Sequence, residues 1–144
     1  MRKTALLSLT ASLCGCVATP PAATSDAGNQ RVDPMPISLA LEEIITTGVR
    51  QHLQDPATAR FGTMLAGERT LNGRAEIVVC GHVTTKPYRG NGRDKAFAAK
   101  IYPDAGSSFE LVAMGEEPPD TRLVGDTCRA AGLPPLDTDA KTHL

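Results

Sequence analysis

Two cysteines near the N-terminus and two in the second half divide the reactive side chains of this sequence between separate chemistries. Cys16 follows Leu13-Cys14-Gly15, after Arg2, Lys3 and an apolar run of about ten residues from Thr4 to Leu13. The basic pair supplies the positive start of an export signal, and the run is too short to span a bilayer as a permanent helix. Gly15, directly before Cys16, is small enough for a signal peptidase to reach the backbone. The Cys16 thiol is then placed to take a diacylglycerol thioether. Cys14 is excluded from that role because bulky Leu13 precedes it. The expectation is a lipoprotein signal over residues 1–15 and membrane attachment through acyl chains on Cys16, at about 0.8 kcal/mol per buried methylene. Val17 is not the Asp that marks retention at an inner membrane. The expected address is therefore the periplasmic face of the outer membrane in a Gram-negative-type cell.

Cys80 and Cys128 remain as an even pair in an exported domain, the pattern of a disulfide. Cys80-x-His82 puts a thiol and an imidazole on one face of a strand, which is the raw material of a nucleophile pair. The disulfide consumes that thiol, and no orienting Asp or Asn is evident from spacing. His52, His82 and His143 do not form metal-ligand spacing with Cys, Asp or Glu, so neither a metal nor a cofactor is expected. Gly90-x-Gly92-Arg93 lacks the helix start that a phosphate loop needs and reads as a hairpin loop. Glu116, Glu117 and Asp120 lie in a Pro-rich stretch and read as solvated.

Charge is distributed unevenly along the chain. Cleavage before Cys16 removes Arg2 and Lys3 and moves the formal charge from −1 to −3, which predicts neither a nucleic-acid binder nor a polybasic membrane-surface binder. From Lys86 to Lys100 the balance is +4, and from Ile101 onward it is −5. The expected partner-binding residues are Lys86, Arg89, Arg93 and Lys95, facing an acidic envelope protein or an anionic glycan; the plainer reading is a solvated loop. Trp is absent and the aromatics are few, which argues against sugar stacking or single-stranded nucleic acid.

These residues need a scaffold. Residues 16–36 are rich in Ala, Pro, Thr and Ser and read as a lipid-anchored disordered tether with a reach of roughly 25–60 Å. Residues 133–144 read as a disordered tail, leaving a single domain at 37–132. Ser38 is the expected N-cap of a helix with Leu41, Ile44, Ile45, Val49 and Leu53 on its apolar face, ended by Asp55-Pro56. Gly48 on that face permits close packing on a sheet. Asn72-Gly73 between two polar–apolar runs marks a type I′ hairpin. Ile77, Val79 and Val83 are expected in the core, with Cys80 and His82 on the opposite face. Phe97, Ala99 and Ile101, then Phe109, Leu111 and Ala113, continue the alternation around a turn at Asp104-Ala105-Gly106. The fold class expected is α+β: one N-terminal helix on a small three- to four-stranded antiparallel sheet, with one disulfide.

Val49-x-x-x-Leu53-x-Asp55-Pro56-Ala57-Thr58-Ala59-Arg60-Phe61, followed by Cys80-Gly81-His82-Val83, resembles a family of uncharacterised proteobacterial lipoproteins and phage-associated proteins. That family carries a helix ending in L-x-D-P-x-S-A-x-F and a C-G-x-V-N-A-K strand before a glycine-rich loop. Thr84-Thr85-Lys86, Tyr88, Gly90, Gly92 and Phe97 fit the second block loosely, with Thr84 in place of the usual Asn. The resemblance covers about Val49 to Phe97 and implies a fold class without an activity. The expected function is a non-catalytic binding or assembly module of the cell envelope. The alternatives are a small envelope hydrolase, using Cys80 or an Asp–His pair, and an inhibitor of an exported enzyme.

Overall fold

The computed structural model describes residues 30–86, 92–134 and 136. The expected lipidation site Cys16, the basic-loop residue Arg89 and His143 lie outside the described residues. Five antiparallel strands form one sheet in simple sequence order: β1 (Asp33–Met35), β2 (Arg60–Leu71), β3 (Arg74–Thr85), β4 (Arg93–Tyr102) and β5 (Ser108–Gly115). Helix α1 (Leu39–Arg50) covers one face and helix α2 (Asp120–Ala130) the other. The class is α+β with one antiparallel sheet and one disulfide, but the sheet has five strands rather than three or four, and a second helix packs on it.

Local chemistry accounts for most of these elements. Ser38 Oγ accepts the Leu41 N–H at 3.2 Å and caps α1. Leu41, Ile45, Gly48 and Val49 then face the sheet at helical spacing. Asn72 and Gly73 both have positive φ, 50° and 75°, as the hairpin between β2 and β3 requires. β3 is the middle strand, and every residue from Glu76 to Gly81 is buried. Ile77, Val79 and Val83 join α1, Phe97, Ala99 and Ile101 in one core cluster. Val78 and Cys80 join Ala98, Ala113, Val124 and Cys128 in the other.

Three features escape periodicity. β1 is only three residues long and contains Pro34; it falls in the stretch whose composition reads as a tether. Proline is tolerated there because β1 is an edge strand, and Val32 beside it is buried in the second cluster. In α2 the apolar stripe consists of little more than Val124 and Cys128, interrupted by Gly125, and a Pro-rich entry hides the helix start. Its end is well formed: Gly132 has φ 73°, and the N–H groups of Gly132 and Leu133 donate to Arg129 and Cys128 carbonyls at 3.0 and 3.1 Å. In β5 a register shift opposite Ala98/Ala99 inserts an extra residue, so Ala113 joins the α2 side instead of following Phe109 and Leu111 toward α1.

Gly48 is the closest approach between α1 and β5, since a Cβ there would overlap the Phe109 ring. Alanine at this position is expected to destabilise the fold by about 1–3 kcal/mol, despite its better helix propensity, because the ring has to move. A lower urea midpoint for Gly48→Ala checks this; an unchanged or raised midpoint contradicts it.

Candidate functional site

Two regions hold the functional side chains, and both adjoin the ends of β3 and β4. At the end where these strands are joined, Lys86 is exposed and its backbone N–H donates to Thr58 Oγ1 at 3.2 Å. Arg93 stands opposite Thr85 in the ladder, with its side chain 65% exposed and Nη1 donating to Glu116 Oε1 at 2.9 Å. Lys95 is half-buried opposite Val83. Among the described residues no carboxylate comes within ion-pair distance of Lys86 or Lys95. Three of the four expected basic residues are thus gathered at one end of the sheet, with Arg93 already matched by an acid.

Beside them lies the imidazole. The ladder places His82 opposite Ala96, which in turn stands opposite Gly115. Asp94, two residues before Ala96, shares the His82 face. His82 Nδ1 lies 3.3 Å from Asp94 Oδ2, while Thr84 Oγ1 donates to Asp94 Oδ1 at 3.3 Å. The Nδ1–Oδ2 approach is within ion-pair distance but off the angle of a hydrogen bond, so this buried nitrogen has no hydrogen-bond partner. Sequence spacing could not pair residues twelve apart; only the hairpin brings Asp94 to the imidazole.

His82 also lines a cavity of about 530 Å³ between α2 and the sheet. Its wall includes Cys80, Ala96, Val124, Gly125, Cys128, Leu133 and Leu136, with Glu116, Thr121 and Arg129 among the polar contributors. Gly125 sits inside α2, where glycine costs about 1 kcal/mol relative to alanine. The Cys80–Cys128 disulfide forms part of the wall, with Cα atoms 6.2 Å apart, and leaves no free thiol beside His82.

The other end of the sheet carries a buried ionic row. Arg69 Nη2 donates to Glu76 Oε1 at 2.6 Å, and Lys100 Nζ lies 3.4 Å from the same oxygen. Arg69 Nη1 also donates to the Gln30 carbonyl, so the row holds the segment before β1. Tyr102 Oη donates to Glu110 Oε2 at 2.7 Å. That hydrogen bond holds the phenol proton, and burial and the Glu110 and Glu76 charges add to it, against Arg69; the Tyr102 pKa is pushed up to about 12.

Among the described residues no three His, Cys, Asp or Glu side chains gather as metal ligands, and no helix is long and apolar enough to cross a membrane. The fold and site define a small α+β domain with helices on both sheet faces, a disulfide between the middle strand and the second helix, and a basic sheet end. Compared with protein-family models, curated proteins and solved structures, the chain matches none of them.

The disulfide closes a loop across a sequence separation of 48 residues. On chain-entropy grounds its removal is expected to cost about 4 kcal/mol, less any strain released. Urea unfolding with and without reductant, or of the Cys80→Ala/Cys128→Ala chain, measures this. Coincident midpoints would show that the bond adds nothing.

Proposed function

We propose that the protein is a lipid-anchored module of the cell envelope that binds, or helps assemble, another envelope component without catalysing a reaction. The attachment is the acylated Cys16 of the lipoprotein signal, and the address is the periplasmic face of the outer membrane. The observation that carries this reading is the separation of entry and charge. The described residues begin at Gln30, beside Arg69 and the Glu76 end of β3. Lys86, Arg93 and Lys95 stand at the Thr85 end. At about 3.3 Å per residue, Glu76 and Thr85 on β3 are roughly 30 Å apart. A domain tethered at the first end therefore presents Lys86 and Lys95, unpaired among the described residues, with Arg93 at the other, where an acidic protein surface or an anionic glycan is met first.

Crosslinking in intact cells, followed by mass spectrometry, tests the reading. Cys16→Ser is expected to move the protein from the membrane to the soluble fraction. Substitution of Lys86, Arg89, Arg93 and Lys95 by Ser is expected to lose a discrete partner captured by the unsubstituted chain. Capture unchanged at low and high salt rejects the basic end as the contact surface.

One observation favours a second reading, a small envelope hydrolase. Asp94 stands beside His82 Nδ1 as the orienting carboxylate of an imidazole base does, at the edge of a cavity that Thr121 also lines. On this reading, hydrolysis of p-nitrophenyl butyrate is lost in both His82→Gln and Asp94→Asn. Equal rates for the three chains remove it.

A further inference from the structure

We propose that the cavity between α2 and the sheet is a binding site for a single uncharged aliphatic chain, kept open by Gly125. Two independent observations carry the proposal. The first is the glycine itself. At other packed positions contact accounts for the missing side chain, with Gly48 against Phe109, Gly81 against Phe97 and Gly115 against Asp120, and at the turns Gly73 and Gly106 positive φ does. A methyl group built at Gly125 meets no heavy atom within 4 Å. Alanine would strengthen the helix at this interior position, and no neighbour forbids it. What the glycine preserves is space, because it lines the cavity.

The second observation is the state of the charges on the wall. The ionisable side chains that reach the cavity each have an oppositely charged or ionisable neighbour: Glu116 pairs with Arg93 at 2.9 Å, Arg129 with Asp126 at 3.1 Å, and His82 Nδ1 lies within ion-pair distance of Asp94 at 3.3 Å without a hydrogen bond. The wall therefore selects neither an anion nor a cation. What it offers is apolar surface from Val124, Leu133, Leu136 and the disulfide, around a volume of about 530 Å³ that suits a small-molecule ligand. The apolar part of this wall gains more from hydrocarbon than from water, since its polar groups lie apart from it on His82, Glu116, Thr121 and Arg129. A hydroxyl at one end of the chain can use the His82 ring nitrogen turned away from Asp94.

The site is independent of the membrane anchor, so its failure leaves the proposed attachment and partner untouched. The test uses the full chain carrying Cys16→Ser, which takes no acyl group of its own, titrated with 1-decanol and with decanoate. Methyl NMR signals of Val124, Leu133 and Leu136 report occupancy. Saturable shifts with 1-decanol are expected, with decanoate weaker by at least about tenfold because its charge would be buried unpaired. Gly125→Leu fills the space and is expected to lose 1-decanol binding, whereas Gly125→Ala retains it and unfolds at a higher temperature. No saturable shift in the parent chain overturns the proposal. So does equal 1-decanol binding by a folded Gly125→Leu chain. If that variant fails to fold, the charge comparison still decides, since decanoate binding as tightly as 1-decanol overturns the uncharged class.

Discussion

The covalent tie between β3 and α2 is the constraint on which the second layer of this fold depends. β3 is buried on both faces, so the sheet needs a cover on each side. On the α1 side the cover is supplied by volume: Ile45, Val49, Val79, Val83, Phe97 and Ile101 are almost wholly removed from water. Burying side chains of this size contributes about 1.5–3 kcal/mol each. The α2 side relies on smaller groups, with Ala98, Ala113 and Ala131 beside Val32, Val78 and Val124. A helix of eleven residues with no side-chain N-cap and a glycine inside it is marginal alone. The disulfide compensates by restricting the unfolded chain, and Val32 adds a second clasp through its N–H to the Ala131 carbonyl at 2.9 Å.

That thin packing and the cavity have one origin. Small residues on the sheet and a glycine on the helix keep α2 close to β3 at Cys128 yet leave about 530 Å³ beside the contact. The close point is fixed by a bond of set length, so the helix cannot slide to close the gap without moving Cys128. A helix held only by side-chain packing could repack to close such a space.

The parts of the fold that could be read from the sequence are those where one residue type does one job. Ser38 caps, Asn72-Gly73 turns, Ile77, Val79 and Val83 alternate, and Cys80 with Cys128 closes the loop; each is a short-range signal or a count. The strand and helix that went unread have weak signals for physical reasons. β1 owes its place to Val32 and to a free edge on β2 rather than to its own three residues. α2 buries too little apolar surface to stand out against Gly125, Thr121 and Thr127. The bulge in β5 changes which face Ala113 serves, and no local pattern of apolar residues marks it. For the site, the basic cluster was visible as a run of charge, but its neutralising partner Glu116 and the His82–Asp94 approach exist only once hairpins bring distant residues side by side.

The two ends of the sheet now divide the electrostatic work. At one end Glu76 is buried with Arg69 and Lys100, and such a carboxylate is tolerated only because both cations and the Gln30 carbonyl fix the geometry. Removing Arg69 would leave the buried Glu76 carboxylate with Lys100 as its one remaining cation. At the other end Lys86 is exposed and Lys95 half-buried, neither within ion-pair distance of a carboxylate among the described residues, and Arg93 keeps a surface pair of little intrinsic worth. Exposed charges of that kind contribute almost nothing to folding, and their field falls off over about 8 Å at physiological salt. Stability therefore does not account for three cations gathered at this end, and the proposed contact with an anionic surface rests on that. The fold sets its most buried ionic cluster at the Glu76 end of β3 and its exposed cations Lys86 and Arg93 at the Thr85 end.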